Sequence, residues 1–232
     1  MTTPLAVGCA ATAGTAAGCC LPYLARMATV HALRAEDAIA EEVHKACGLY
    51  RGMASWAGVV GSAALAGASI AILGATSHGI AITVLLFVLF LLAVIDFSTL
   101  LLPDIVTIPL AVAGLALNIQ SVVAPFPSAA GGAVIGFGAL CIVHRAILIL
   151  TEAEGLGFGD VKLVFAIGAW LGYQPLLHVL VVALLCAALY GLGMIACRRN
   201  INDRLIPFGP FLAIGAATTA LVGTPLYAIV TI

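Results

Sequence analysis

The chain has 232 residues, 63% of them hydrophobic and 8% charged, with a formal net charge of −1. A soluble domain carries about 25% charged residues. A chain this apolar, with a mean hydropathy of +1.22, excludes a water-soluble globular enzyme and takes lipid as its solvent. The net charge says nothing about nucleic acid, which is not expected as a partner. The placement of the charges is more informative than their sum. A span needs about 20 apolar residues, so the chain has room for roughly eight with short loops and no separate soluble domain.

Residues 4–25 are small and apolar and form a first span. The first 25 residues have no basic stretch before the apolar one, so no cleavable signal peptide is expected. Residues 34–51 hold acids early and bases late, which suits a surface helix, either resting on the membrane interface or acting as a solvated connector. The second span covers 53–74 and is rich in Gly and Ala, which favour close helix packing. The third, 79–95, is a dense Leu/Val/Phe run that ends at Asp96. Residues 97–103 read as a loop, and Asp104 opens a fourth span to about 123. The remaining spans cover about 129–150, a short 160–172, 176–197 and 206–230.

Alternating spans put the loops at 26–52, 96–103, 151–160 and 198–205 on one face. All nine Lys and Arg and all ten Asp and Glu lie in or beside those loops. The opposite loops, 75–78, 124–128 and 173–175, contain none. The excess of basic residues makes the charged face cytoplasmic. The expectation is an all-α integral membrane protein of about eight transmembrane helices, multi-pass in the cytoplasmic membrane, with both termini on the outer side.

The seven cysteines include no C-x-x-C pair. They read as small apolar helix residues; a structural zinc site needs clustered thiolates. No metal or cofactor is expected.

Two aspartates stand out. Asp96 closes the third span and Asp160 opens the sixth, so both fall at the cytoplasmic edge of the bilayer. An acid there is costly unless it is used. Asp104 reads as a helix cap. A cap does not explain Asp96, because a helix C-terminus disfavours negative charge. Two carboxyls that approach each other share a proton. One is then a base that activates water and the other an acid that protonates the attacked carbonyl, which is the chemistry of aspartyl peptide hydrolysis. The pair titrates as a unit, so the proton is not assigned to either.

The run Gly155-Leu156-Gly157-Phe158-Gly159-Asp160-Val161-Lys162-Leu163 resembles the G-x-G-D motif of the type IV prepilin peptidases, which are membrane aspartyl proteases. Ile95-Asp96 with Leu101-Leu102-Pro103-Asp104, then Thr107 and Pro109, resembles that family's I-D-x5-L-P-D signature. Ile206-Pro207-Phe208-Gly209-Pro210-Phe211-Leu212 resembles its I-P-F-G-P-x-L, and residues 166–172 fit the stretch after its G-x-G-D motif. The resemblance spans about 80–215 and marks that stretch as a peptidase core within a single polytopic domain, 1–232. It implies that Asp96 and Asp160 are the catalytic pair and that Asp104 is not. It also implies the substrate: prepilins or pseudopilins, each with a basic leader removed at the cytoplasmic face just before a hydrophobic helix.

Residues 1–79 depart from the family. Many members carry a cytoplasmic domain with paired C-x-x-C motifs there and N-methylate their product; this chain has only the short helix at 34–51. The expected activity is therefore leader cleavage without methylation.

Around the pair, Gly157 and Gly159 allow close backbone approach. Lys162 tunes the acids or anchors to lipid phosphate. Pro207 and Gly209 shape a non-helical entry to the last span. Glu152 and Glu154 are candidates to meet the basic leader. The competing class is a proton- or ion-coupled transporter, which would place acids near the midplane and show inverted repeats. The two key acids lie instead at one interface.

Overall fold

The structure is a computed structural model that describes residues 4–35, 54–151, 157–197 and 207–222. Eight helices account for nearly all of them: α1 Pro4–Ala35, α2 Ala54–Leu73, α3 Ser77–Thr99, α4 Asp104–Ile119, α5 Phe126–Thr151, α6 Phe158–Leu171, α7 Tyr173–Ala196 and α8 Gly209–Val222. No strand occurs among the described residues. Each helix coincides with one apolar segment read from the sequence. By length and composition, α3, α7 and residues Phe126–Leu150 of α5 are long and apolar enough to cross a membrane. The chain divides into two compact units, Met1–Leu110 and Ala111–Ile232.

In the first unit, α1 packs along α2 and α3. Small residues bring these helices close, as expected where lipid removes the hydrophobic drive between helices. A β-carbon on Gly14 of α1 would stand 2.8 Å from the Ser62 carbonyl oxygen of α2. Ser62 Oγ donates back to the Gly14 carbonyl at 2.9 Å. Ser69 of α2 and Thr83 of α3 share a hydroxyl hydrogen bond of 2.7 Å. Towards the end of α3, Leu91 and Ile95 cluster with Ala25 and Ala28 of α1, and Phe87, Phe90, Val94 and Val106 pack around them.

In the second unit, α5 packs on α6 and α7 on α8. The α5–α6 crossing is backbone on backbone: a β-carbon on Gly132 would stand 2.6 Å from the Gly172 carbonyl carbon, and one on Gly168 would meet the Gly132 carbonyl. Gly172 alone separates α6 from α7, with φ 87°. An L side chain rarely adopts that conformation, and a β-carbon there would also meet Ser128.

Several boundaries differ from the sequence reading. α1 continues past residue 25 to Ala35 as one 32-residue helix, because nothing at Arg26 breaks it. Of the surface helix expected at 34–51, residues 36–51 lie outside the described residues. α3 runs three residues beyond Asp96, so Phe97, Ser98 and Thr99 are helical, not looped. α5 begins at Phe126 and α7 at Tyr173, ahead of Pro127 and Pro175. The first turn of a helix tolerates proline, since its amides lack intrahelical partners in any case.

Candidate active site

Asp96 and Asp160 are the buried acids among the described residues, at 4% and 7% exposure. Asp104 is exposed at the start of α4. Burial therefore sets Asp96 and Asp160 apart from Asp104. Burying a carboxyl is costly without partners, so the two buried positions carry the chemical interest.

Asp96 lies in the last turn of α3. Ser98 Oγ donates to the Val94 carbonyl at 2.8 Å and Thr99 Oγ1 to the Ile95 carbonyl at 2.9 Å. The Leu100 amide donates to the Asp96 carbonyl at 2.8 Å, with Leu100 in the left-handed region at φ 57°, ψ 21°. Three successive carbonyls beside the carboxyl are therefore engaged. Thr107, noted in the sequence for its motif position, is buried in α4, and its hydroxyl donates to the Pro103 carbonyl at 3.4 Å.

Asp160 sits in the first turn of α6, whose N-cap is Gly157 at φ −66°, ψ 139°. Its amide donates to the Gly157 carbonyl at 3.1 Å. Its carboxylate folds back over the same residue, because Oδ2 lies 3.3 Å from where a Gly157 β-carbon would stand. Gly157 has an ordinary extended conformation, so glycine is required here by space and not by dihedral angle. An acid at the third helical position faces the free amides of the helix start. The dipole favours negative charge at that end, opposite to its effect at Asp96.

Lys162 does not stand alone beside Asp160. Its Nζ lies 5.2 Å from the centroid of the Phe158 ring, a cation–π contact one helical turn back. The His144 ring of α5 meets Phe158 edge-on at 5.9 Å, and Phe137 meets both Phe158 and Phe165. Gly159 is half-buried beside Asp160.

Pro207 and Phe208 are non-helical and α8 starts at Gly209, which is buried. Phe208 and Tyr190 both pack on Phe211. Glu152 and Glu154 lie outside the described residues. No group of three or more His, Cys, Asp or Glu suited to a metal occurs among the described residues.

The sequence reading overlooked Asn118, in the last turn of α4. It is fully buried, and all its hydrogen bonds go to main-chain groups. Nδ2 donates to the Ala169 carbonyl at 3.0 Å and the Trp170 carbonyl at 2.9 Å. The Val123 and Ala124 amides donate to Oδ1 at 3.0 and 2.9 Å. A lone polar residue near the end of an apolar run was the available signal.

Residues 83–192 match the model of the Type IV leader peptidase family. That stretch contains both buried aspartates. That stretch, a little under half of the chain, is similar to this family. The chain is similar to curated relatives named prepilin leader peptidase/N-methyltransferase. One from Aeromonas salmonicida (strain A449) is 41% identical over 144 residues, 62% of this chain and 50% of the relative. One from Burkholderia pseudomallei (strain 1026b) is 38% identical over 166 residues, 72% and 54%. One from Escherichia coli (strain K12) is 43% identical over 126 residues, 54% and 55%. The chain thus spans about half the length of the relatives it matches. No solved structure matches it.

Proposed function

We propose that this chain is a membrane-embedded aspartyl endopeptidase that removes the basic leader from prepilins or pseudopilins at the cytoplasmic membrane face. The observation that carries the reading is the burial of Asp96 and Asp160, against the exposure of Asp104, within the stretch that matches the family. Asp96 and Asp160 act as a pair. One carboxylate takes a proton from water as it attacks the scissile carbonyl, and the other donates its proton to the carbonyl oxygen. The resulting diol collapses, the C–N bond breaks, and a proton passes to the leaving amine. This is general acid–base catalysis by two coupled acids.

The eight helices cross the cytoplasmic membrane in alternation, with both termini outside and the charged loops inside. Three helices long and apolar enough to cross support this, as does the segregation of charge in the sequence. Residues 80–215 form the peptidase core. The substrate's hydrophobic helix lies in the bilayer beside the spans and presents its leader to the acids, where Glu152 and Glu154 meet its basic residues. Gly157, Gly159, Lys162, Pro207 and Gly209 shape the site. Residues 1–79 lack paired C-x-x-C motifs, which supports cleavage without N-methylation. Both acids stand in terminal helical turns and not at mid-helix, which gives the transporter reading no support.

The test uses the intact protein in liposomes with a prepilin carrying its leader and hydrophobic helix, with S-adenosylmethionine present. Mass spectrometry is expected to find the shortened pilin with an unmodified N-terminus. A methylated N-terminus would remove the peptidase-only reading, and an intact prepilin would remove the peptidase itself.

A further inference from the structure

The far end of α6 is held in an unusual way. A helix leaves its last four carbonyls without intrahelical partners, and the residues that follow usually cap them. Here α7 begins after the single residue Gly172, so little chain is left to do so. The Gly172 amide serves the Gly168 carbonyl at 2.8 Å. The Ala169 and Trp170 carbonyls receive both hydrogens of the Asn118 amide group from α4. The oxygen of the same side chain accepts the Val123 and Ala124 amides, which pins the 120–125 turn. One turn earlier in α4, a β-carbon on Gly114 would stand 2.7 Å from Trp170 Nε1. Gly114 and Asn118 are four residues apart and so share a helix face. That face grips the last turn of α6.

Asp160 lies nine residues before Ala169 on the same helix, about 13.5 Å along its axis. A helix this short is stiff along its length, so an axial slip at one end appears undiminished at the other. A misplacement of about 1 Å at reacting groups costs about 100-fold in rate.

We propose that Asn118 is a positioning residue for the reaction: it sets the axial position of α6 and thereby the depth of Asp160. This rests on the reading of Asp160 as a catalytic acid. The Asn118 amide bonds to Ala169 and Trp170 are the ruler, and the bonds to Val123 and Ala124 hold the ruler in place. Asn118→Asp separates the two arms. It keeps an acceptor for the turn and removes the donors to α6. Asn118→Ala removes both.

The experiment measures cleavage kinetics and helix depth together, in liposomes. For depth, the seven native cysteines are replaced and a nitroxide is placed at Phe158→Cys, at the start of α6, or at Ile142→Cys on α5 as control. Depth is read from relaxation by oxygen and a water-soluble nickel chelate. Asn118→Asp is expected to shift the label at 158 by about 1 Å or more while that at 142 stays. It is also expected to lower kcat about 100-fold with KM within about twofold. An unmoved label at 158 overturns the proposal, whether or not kcat falls. A moved label with unchanged kcat also overturns it. If Asn118→Ala does not fold, Asn118→Asp decides alone. If the unsubstituted protein cleaves no prepilin, the proposed function fails by itself, and the label still decides whether Asn118 sets the depth of α6.

Discussion

Oδ2 of Asp160 lies 3.3 Å from the point where a β-carbon of Gly157 would stand. The glycine that starts α6 therefore leaves the space into which the acid folds. Its φ of −66° and ψ of 139° suit any residue, so alanine at this position strains no backbone. Gly157→Ala is expected to displace the carboxylate by a few tenths of an ångström. It should lower kcat about tenfold, equivalent to ~1.4 kcal/mol, with the unfolding midpoint unchanged. Loss of kcat together with a large fall in the midpoint would mean that the glycine serves folding instead.

A second consequence concerns the α5–α6 crossing. Gly168→Ala drives a β-carbon into the Gly132 backbone, which no side-chain rotation relieves. It is expected to destabilise by about 3 kcal/mol, the upper range for overpacking. Gly138→Ala, also in α5, meets nothing within 4 Å. It is expected to be neutral or to stabilise by about 0.5–1 kcal/mol through helix propensity. Thermal unfolding in detergent distinguishes them, and equal midpoints for the two variants would contradict the crossing.

The end of α3 offers a test of opposite sign. Leu100 holds a left-handed conformation at φ 57°, which costs an L side chain roughly 1–2 kcal/mol. The same position still supplies an amide to the Asp96 carbonyl. Leu100→Gly removes the strain and keeps the hydrogen bond. It is expected to raise stability by about 1 kcal/mol, less than the full strain because glycine is more flexible when unfolded. A fall in the unfolding midpoint would show that the Leu100 side chain contributes more than its conformation costs.

Much of the fold was legible because lipid imposes a simple grammar. Apolar runs punctuated by Pro-, Gly- or charge-bearing segments correspond to the eight helices, and Asp96, Asp104 and Asp160 stood out as acids at their edges. Burial separates Asp104 from the other two. Helix ends were less legible. α1 runs on past Arg26, and α3 past Asp96, since Ser98 and Thr99 bond back to their own helix. Asn118 was invisible as a clasp, because its partners at Ala169 and Trp170 are 51 and 52 positions away. The reason for glycine at 157 was also hidden, since it depends on where the Asp160 carboxylate turns.

The central claim is that Asp96 and Asp160 are the catalytic acids and Asp104 is not. The most direct measurement is single-turnover cleavage of a prepilin in liposomes by Asp96→Asn, Asp160→Asn and Asp104→Asn, each at matched membrane levels. Asp96→Asn and Asp160→Asn are expected to lose roughly 1,000-fold or more, within the range of general acid–base catalysis. Asp104→Asn, whose carboxyl is exposed, should stay within about threefold of the unsubstituted protein, a change of less than ~1.4 kcal/mol. Activity retained by either of the first two, or lost in the third, would contradict the assignment.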